Sequence, residues 1–325
     1  MKINGSILGP VNTTSTAGAV GVWGNQEVFY AKKNDTWPIF SPYFIATGGN
    51  VTYDGNFKIH TFLSSANLVV IGGPTTGDVE YLVVGGGGAG GSADGAAGGG
   101  GAGGFRSGTV SISSSNTYPI VVGSGGQRNL TNNNHGGNGN PSSFFTITAA
   151  GGGGGAGNST LVARNGGSGG GGREGGTGAT GGLGNVPPST PSQGNPGGNG
   201  AFNTSYSGAG GGGAGAPGVT ATGNNFAGPG GAGASTSIRG SVEYYAGGGG
   251  GGNSYRNSTT NLQSDASIGG GGRGALYSGP QSLFANATAG SDNTGGGGGG
   301  GAGLTPQQTG ANGGSGIVII RYRYT

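Results

Sequence analysis

The sequence predicts an all-β protein: a discontinuous β-sandwich base carrying a bundle of polyglycine-II helices, with essentially no α-helix. Three observations predict it. Glycine supplies 91 of the 325 residues. The word Gly-Gly-Gly-Gly-Ala-Gly recurs at Gly85–Gly90, Gly98–Gly103, Gly152–Gly157, Gly210–Gly215 and Gly298–Gly303. Between the glycine runs stand short stretches whose apolar side chains alternate with period two, the mark of half-buried strands.

Residues 1–47 are read as a separate attachment segment. They hold both tryptophans, Trp23 and Trp37, three of the four lysines and few glycines. The stretch 19–33 reads as a short helix or a docking arm, and Asn34-Asp-Thr-Trp-Pro38 as a turn. The segment is too short to bury a core of its own.

Residues 48–325 form the glycine-rich domain. Its β base is assigned to 48–84, 105–122, 142–150 and 317–325, with runs and loops filling 85–316. In Asn56–Leu63, Phe57, Ile59, Thr61 and Leu63 share one face while Lys58, His60 and Phe62 share the other. Strands follow at 67–71 and 79–84, separated by the turn cluster Gly-Gly-Pro-Thr-Thr-Gly. Further strands are read at 108–112, 117–122 and 143–148, and Gly316–Tyr324 closes the sheet last.

The glycine runs carry a physical argument of their own. Polyglycine can take an extended left-handed helix with about 3.1 Å rise per residue, so seven residues span roughly 22 Å. Its N–H and C=O groups find no partner within the segment, and burial therefore demands lateral neighbours. Without Cβ atoms, adjacent runs can approach closely enough to exchange backbone bonds, supplemented by weak Cα–H···O contacts. The alanines are expected to put their methyl groups on the outer face or at run ends. About fourteen runs in seven hairpins are then expected to stand on the base. Alternation of direction places the far tips at 92–97, 127–135, 158–165, 183–196, 216–227, 253–268 and 304–312. It places 173–174, 201–207, 234–246 and 275–294 on the base side.

The tip loops are rich in Asn, Ser and Thr with single aromatic and arginine residues, a palette suited to adaptable polar contact with a few anchors. The candidate receptor-binding residues are Arg128, Asn132, His135, Arg164, Gln193, Asn224, Phe226, Tyr255, Arg256 and Asn261. Trp23 and Trp37 are the candidate attachment residues.

Other chemistries find little support. Glu80–Gly90 looks like the strand and G-x-G-x-x-G turn of a dinucleotide site, but such a site needs a helix after the glycines and an acid about 20 residues on. Here more glycine follows, and after Asp94 the next acid is Glu174. Collagen is excluded by scarce proline and the absence of a sustained Gly-X-Y register. Ordered spacing of the strand segments argues against a disordered linker. The 13 basic and 10 acidic residues are scattered, unlike the basic face of a nucleic-acid binder. There is no cysteine, and the two histidines are far apart, so neither a disulfide framework nor a zinc site is expected. His60 falls within a strand and reads as structural, and His135 as a contact residue. The carboxylates are too dispersed for sugar hydrolysis, and no enzyme and no cofactor are expected. The apolar stretches are strand-length, and Met1–Ile7 lacks an apolar signal region, so membrane insertion and secretion are not expected.

Four stretches carry a family resemblance: Val79–Gly90, Asn140–Gly152, Ser237–Gly247 and Gly313–Tyr322. In their order they resemble the glycine-rich domain of phage tail-fibre and adhesin proteins of the polyglycine-II sandwich type. Gly21–Glu27 and Thr36-Trp-Pro38 are similar to N-terminal segments of structural proteins from marine tailed phages. The resemblance implies a virion protein made in the host cytoplasm that recognises a bacterial surface protein or glycan through its loops. It also implies contacts with other virion or tail-fibre proteins through residues 1–47. A homo-oligomer is compatible with a fibre, although no heptads support one. The alternative is a purely structural fibre, decoration or filament protein in which the glycine lattice is a rigid spacer.

Overall fold

In a computed structural model, the described residues are 41–130, 134–158, 161–175, 179–201, 206–222, 226–254, 264–278, 282–303 and 309–325, with 13–15, 18–20, 26, 29, 30 and 33. Within 1–40 they comprise a small hairpin of β1 (Thr13–Ser15) and β2 (Gly18–Val20), and helical Gln26, Phe29, Tyr30 and Lys33. Trp23 and Trp37 lie outside the described residues.

The base is a sandwich of two five-stranded antiparallel sheets. Its strands in chain order are β3 (Ile45–Thr47), β4 (Asn50–Asp54), β5 (Phe57–Phe62), β6 (Ala66–Gly72), β7 (Thr76–Val84), β8 (Phe105–Ser113), β9 (Asn116–Val121), β10 (Ser142–Phe144) and β11 (Ile147–Ala149). Smaller hairpins follow as β12 (Ala234–Thr236) with β13 (Glu243–Tyr245), and β14 (Leu276–Ser278) with β15 (Ser282–Ala285); β16 (Ile317–Arg323) ends the series. One large sheet runs β4-β5-β16-β7-β8, the other β11-β10-β9-β6-β3. The final strand thus lies in the middle of its sheet, paired with β5 on one side and β7 on the other.

Alternation decides which side chains meet. Phe62, Tyr81, Val83, Val318 and Ile320 face Leu68, Val70, Tyr118, Ile120 and Phe144 of the opposite sheet. Their neighbours Ile59, Leu82, Val84, Ile317 and Ile319 turn the other way, against Ala102, Ile238, Tyr245 and Ala246. The β16 sheet is therefore covered on both faces, which accounts for the unbroken apolar run Ile317–Ile320. His60 is fully buried between the sheets. Its Nδ1 lies 2.6 Å from the Gly48 carbonyl and must donate, leaving Nε2 to accept from the Tyr322 hydroxyl at 3.0 Å. The Lys58 ammonium bonds the Ala46 carbonyl at 2.8 Å, tying the two sheets at their edge.

Above the base, the glycine runs bond only sideways. Gly85, Gly88 and Gly91 donate to Gly104, Gly101 and Gly98; Gly86, Ala89 and Ser92 donate to Asn140, Gly137 and Asn134; Gly87 and Gly90 donate to Gly314 and Ala311. Donors therefore rotate among three neighbouring legs with period three. Carbonyls of the same leg accept from Gly126, Gly152, Gly155, Gly298 and Gly301 on other legs. A Cβ on Gly86, Gly100 or Gly249 would fall within 3.0 Å of a neighbouring carbonyl oxygen, so the spacing itself requires glycine.

Two expectations are corrected here. The polyglycine-II bundle is overturned: among the described residues of 85–316 none is helical, and the legs are irregular extended segments whose bonds leave the segment. What stands is an all-β, discontinuous, sandwich-like fold. Most alanine methyls of the runs do not face outward either, Ala214 and Ala232 being half-buried. Ala89, Ala102, Ala156, Ala209 and Ala302 are fully buried, with Ala102 packed on the base and Ala302 against Ala275 and Tyr277.

The order of legs also differs from strict alternation of glycine runs. Gly167 donates to Gly151 at the base, and Ala156 donates to Gly171 at the far end, so 166–172 runs outward. The inward leg before it is Ala163-Arg164-Asn165, which carries no glycine: Arg164 donates to Gly154. Consequently 173–175, Ala201, Tyr206 and Ser207 belong to the far end, while 183–195 returns to the base, where Phe105 donates to Gln193. A second non-glycine inward leg is 264–268, and a third is 286–289, ending at Gly290. Between them β14 and β15 lie at the far end, joined to Asn253 through Tyr277.

The surface of the lattice is closed by side chains. On outer legs some N–H groups have no neighbouring leg, and a polar side chain accepts from them instead. Gly154 donates to Asn138 Oδ1 at 3.0 Å, Gly181 to Asn199 Oδ1 at 3.0 Å and Leu183 to Asn165 Oδ1 at 2.7 Å. Asn199 and Arg273 donate to the hydroxyls of Thr220 and Thr288 at 3.2 and 2.8 Å. Each bond spares an orphaned donor that would cost about 1–3 kcal/mol if buried.

Candidate functional site

At the far end of the legs several large side chains are exposed. Arg128 and Leu130 are exposed on the loop after Gly126, and Val162 and Arg164 on the descending leg beside it. The Arg128 backbone is fixed by its N–H bond to Asn312 Oδ1 at 2.7 Å. His135 sits half-buried near the Arg164 cation. Its Nδ1 accepts from the Gly157 N–H at 3.3 Å, so the ring serves as a lattice cap as much as a contact residue. Burial and, secondarily, the nearby Arg164 cation hold its pKa below the ordinary 6.5.

The predicted contact residues are not all brought together. His135 and Arg164 are neighbours, with Arg128 on the same loop as His135. Phe226, 40% exposed, belongs to another pair of legs, next to the far end of Gly208. Gln193 is corrected: it is 2% exposed at the base end. Its Oε1 accepts from Ala150 N–H at 2.8 Å and its Nε2 donates to the Pro187 carbonyl at 2.7 Å, so it clamps a loop to the sheet. Asn132, Asn224, Tyr255, Arg256 and Asn261 lie outside the described residues.

Sequence reasoning placed Arg173 and Glu174 on the base side without partners. They stand at the far end, where Glu174 N–H bonds the Ala96 carbonyl and its carboxylate lies over Gly95. Glu174 and Asp94 both act on the Arg173 guanidinium, although burial outweighs them and lowers its pKa. This charged cluster could not be found without the correct order of legs. The hairpin of β14 and β15 was legible in principle, since Ala275-Leu-Tyr-Ser and Ser282-Leu-Phe-Ala flank a Gly-Pro turn.

Among the described residues no group of three or more His, Cys, Asp or Glu side chains could hold a metal ion. No helix among them is long and apolar enough to cross a membrane. Burial pushes the Tyr245 and Tyr322 phenols up to about 12, as core packing does and as proton transfer near neutral pH would not require.

Residues 64–323 match the family described as the glycine-rich domain. The chain belongs to that family. No curated protein matches the chain. The likeness to phage tail-fibre proteins and adhesins is thereby corrected: the match carries the glycine-rich character alone, with nothing of phage origin, and the polyglycine-II helices on which the likeness leaned are absent among the described residues.

Both histidines bear on stability. Burial lowers the pKa of His60 and of His135, so the unfolded chain binds protons more readily than the folded one below the ordinary value of 6.5. Stability is therefore full above 6.5 and is lost as the pH falls from there toward the lowered folded values. We expect the melting temperature to drop between about pH 7.5 and about pH 5, and the drop to shrink in a His60→Gln, His135→Gln double variant. Differential scanning calorimetry across that range checks the slope.

Proposed function

We propose that this protein is a surface-recognition module whose far-end loops bind a protein or glycan on a bacterial cell surface, acting by binding rather than catalysis. The single observation that carries the reading is the set of exposed side chains held at the far end of a buried backbone lattice. The lattice buries backbone and alanine, while Arg128, Leu130, Val162, Arg164 and Phe226 stand exposed around its far end. Legs cross-linked in three directions hold loop ends with little conformational freedom, and preorganised contact groups lose less entropy on binding. Such a module would be displayed on an exposed particle surface, that of a virion on the sequence reading, with residues 1–47 as its attachment.

A second reading is favoured by the lattice itself: a rigid spacer in a fibre or surface layer, indifferent to its loops. Binding of the purified protein to bacterial cells and to arrayed glycans separates the two. We expect saturable binding that falls at least about tenfold in an Arg128→Ala, Leu130→Ala, Arg164→Ala variant with unchanged melting. Absence of saturable binding, or binding indifferent to those three changes, overturns the recognition reading and leaves the spacer.

A further inference from the structure

A second concave site lies at the opposite end of the legs. It is an open cleft of about 420 Å³ between the edge of the sandwich, the base ends of three glycine legs and the loop Val186–Ser189. That volume lies within the range of small-molecule pockets. Its lining contains one cation, Arg106 of β8, and no carboxylate. The Arg106 guanidinium makes one long bond, from Nη1 to the Thr148 carbonyl at 3.4 Å, and no ion pair among the described residues.

Uncommitted donors converge on the same cleft. The Oδ1 atoms of Asn138 and Asn165 are taken by the N–H groups of Gly154 and Leu183, while their amide NH2 groups have no acceptor among the described residues. The capping pattern adds a backbone donor. Along the leg from 157 to 151, every third N–H points out of the lattice: Gly157 is capped by His135 and Gly154 by Asn138. The next cap should come from position 141, which is proline and has no acceptor in its side chain. Gly151 N–H is left without an acceptor among the described residues, and it lines the cleft. The facing wall is apolar, formed by Val186, Pro187 and Pro188.

We propose that this cleft binds a carboxylate carried on a saturated ring, of which a uronic-acid sugar unit is the simplest biological form. The carboxylate would accept from Arg106 and from the Gly151 N–H, charge-assisted bonds that are stronger than neutral ones. The two asparagine amides would serve ring hydroxyls, and the ring's C–H face would lie on the prolines. The site does not depend on the far-end loops and stands or falls separately from them.

The test is titration of the intact protein, labelled with 15N, against glucuronate, glucose and acetate. Glucuronate is expected to saturate, to shift the Gly151 amide resonance, and to bind at least about tenfold more tightly than either the uncharged sugar or the ringless acid. Arg106 is half-buried at a sheet edge, so Arg106→Gln should fold. It is expected to weaken glucuronate at least about tenfold, a loss of the charged bond that added salt would mimic in part. Equal affinity for the three probes, an unmoved Gly151 resonance, or an Arg106→Gln variant that binds like the parent overturns the proposal.

Discussion

Replacing Gly100 with valine is expected to unfold the lattice around it, at a cost on the order of 4 kcal/mol. Gly100 donates to Gly298 at 2.8 Å and accepts from Gly249 at 2.9 Å, and a Cβ there would press on the Gly88 carbonyl. The obstacle is backbone on every side, with no flexible side chain to swing away. Accommodating the valine means moving one leg from its neighbours, which adds overpacking strain of about 1–3 kcal/mol to the penalty for buried donors and acceptors left unpaired. Against a total stability of about 5–15 kcal/mol, this is a large fraction. Gly55 is the natural control. It occupies the two-residue turn between β4 and β5 at a φ of +53°, with nothing near its Cβ position. Asparagine tolerates that conformation, so Gly55→Asn is expected to change stability by less than about 1 kcal/mol. Chemical denaturation of the two variants beside the parent measures the contrast, and equal midpoints would contradict it.

Stopping the chain after Gly316 is expected to abolish folding altogether. The missing segment is the middle strand of its sheet, so its loss strips the pairing partner from both β5 and β7. It also removes Ile317, Val318, Ile319, Ile320 and Tyr322 from the cores on both faces. Each large apolar side chain deleted from a core costs about 2–5 kcal/mol, and the sum exceeds what a domain has to lose. Two bare strand edges would then face solvent, a template for association. Circular dichroism and size-exclusion chromatography are expected to show a chain without a cooperative melt, largely aggregated. A monomer that melts cooperatively near the parent temperature would contradict the central place given to β16.

Much of this was readable before any coordinates. The strands announce themselves by alternation, as in Phe57–Phe62, and the closing strand by its apolar run. The lateral bonding of the runs follows from the absence of Cβ atoms. What the sequence does not carry is the direction of each leg. Counting glycine runs fails because an inward leg on the outside of the lattice can dispense with glycine: Arg164 and Asn165 face solvent on one side and still donate or accept on the other. One such leg before Gly208, Ala163-Arg164-Asn165, is enough to exchange the ends assigned to 173–174 and 183–196. For the same reason Gln193 looked like a contact residue and proves to be a buried clamp, while His135, at the far end, also caps the Gly157 N–H. A side-chain acceptor at intervals of three along the neighbouring leg, as at His135 and Asn138, is a local signal that would have distinguished outer legs from inner ones.

The account rests on a core made of backbone, and hydrogen exchange of the glycine amides reads that core directly. Gly88, Gly100 and Gly249 each donate to a carbonyl of another leg at 2.8–2.9 Å, well inside the molecule. If the lattice is a cooperative part of the fold, their amides exchange as slowly as those of Val318 and Ile320 in β16, through global unfolding. Glycine amides that exchange at the rate of an unstructured chain, while β16 remains protected, would contradict it.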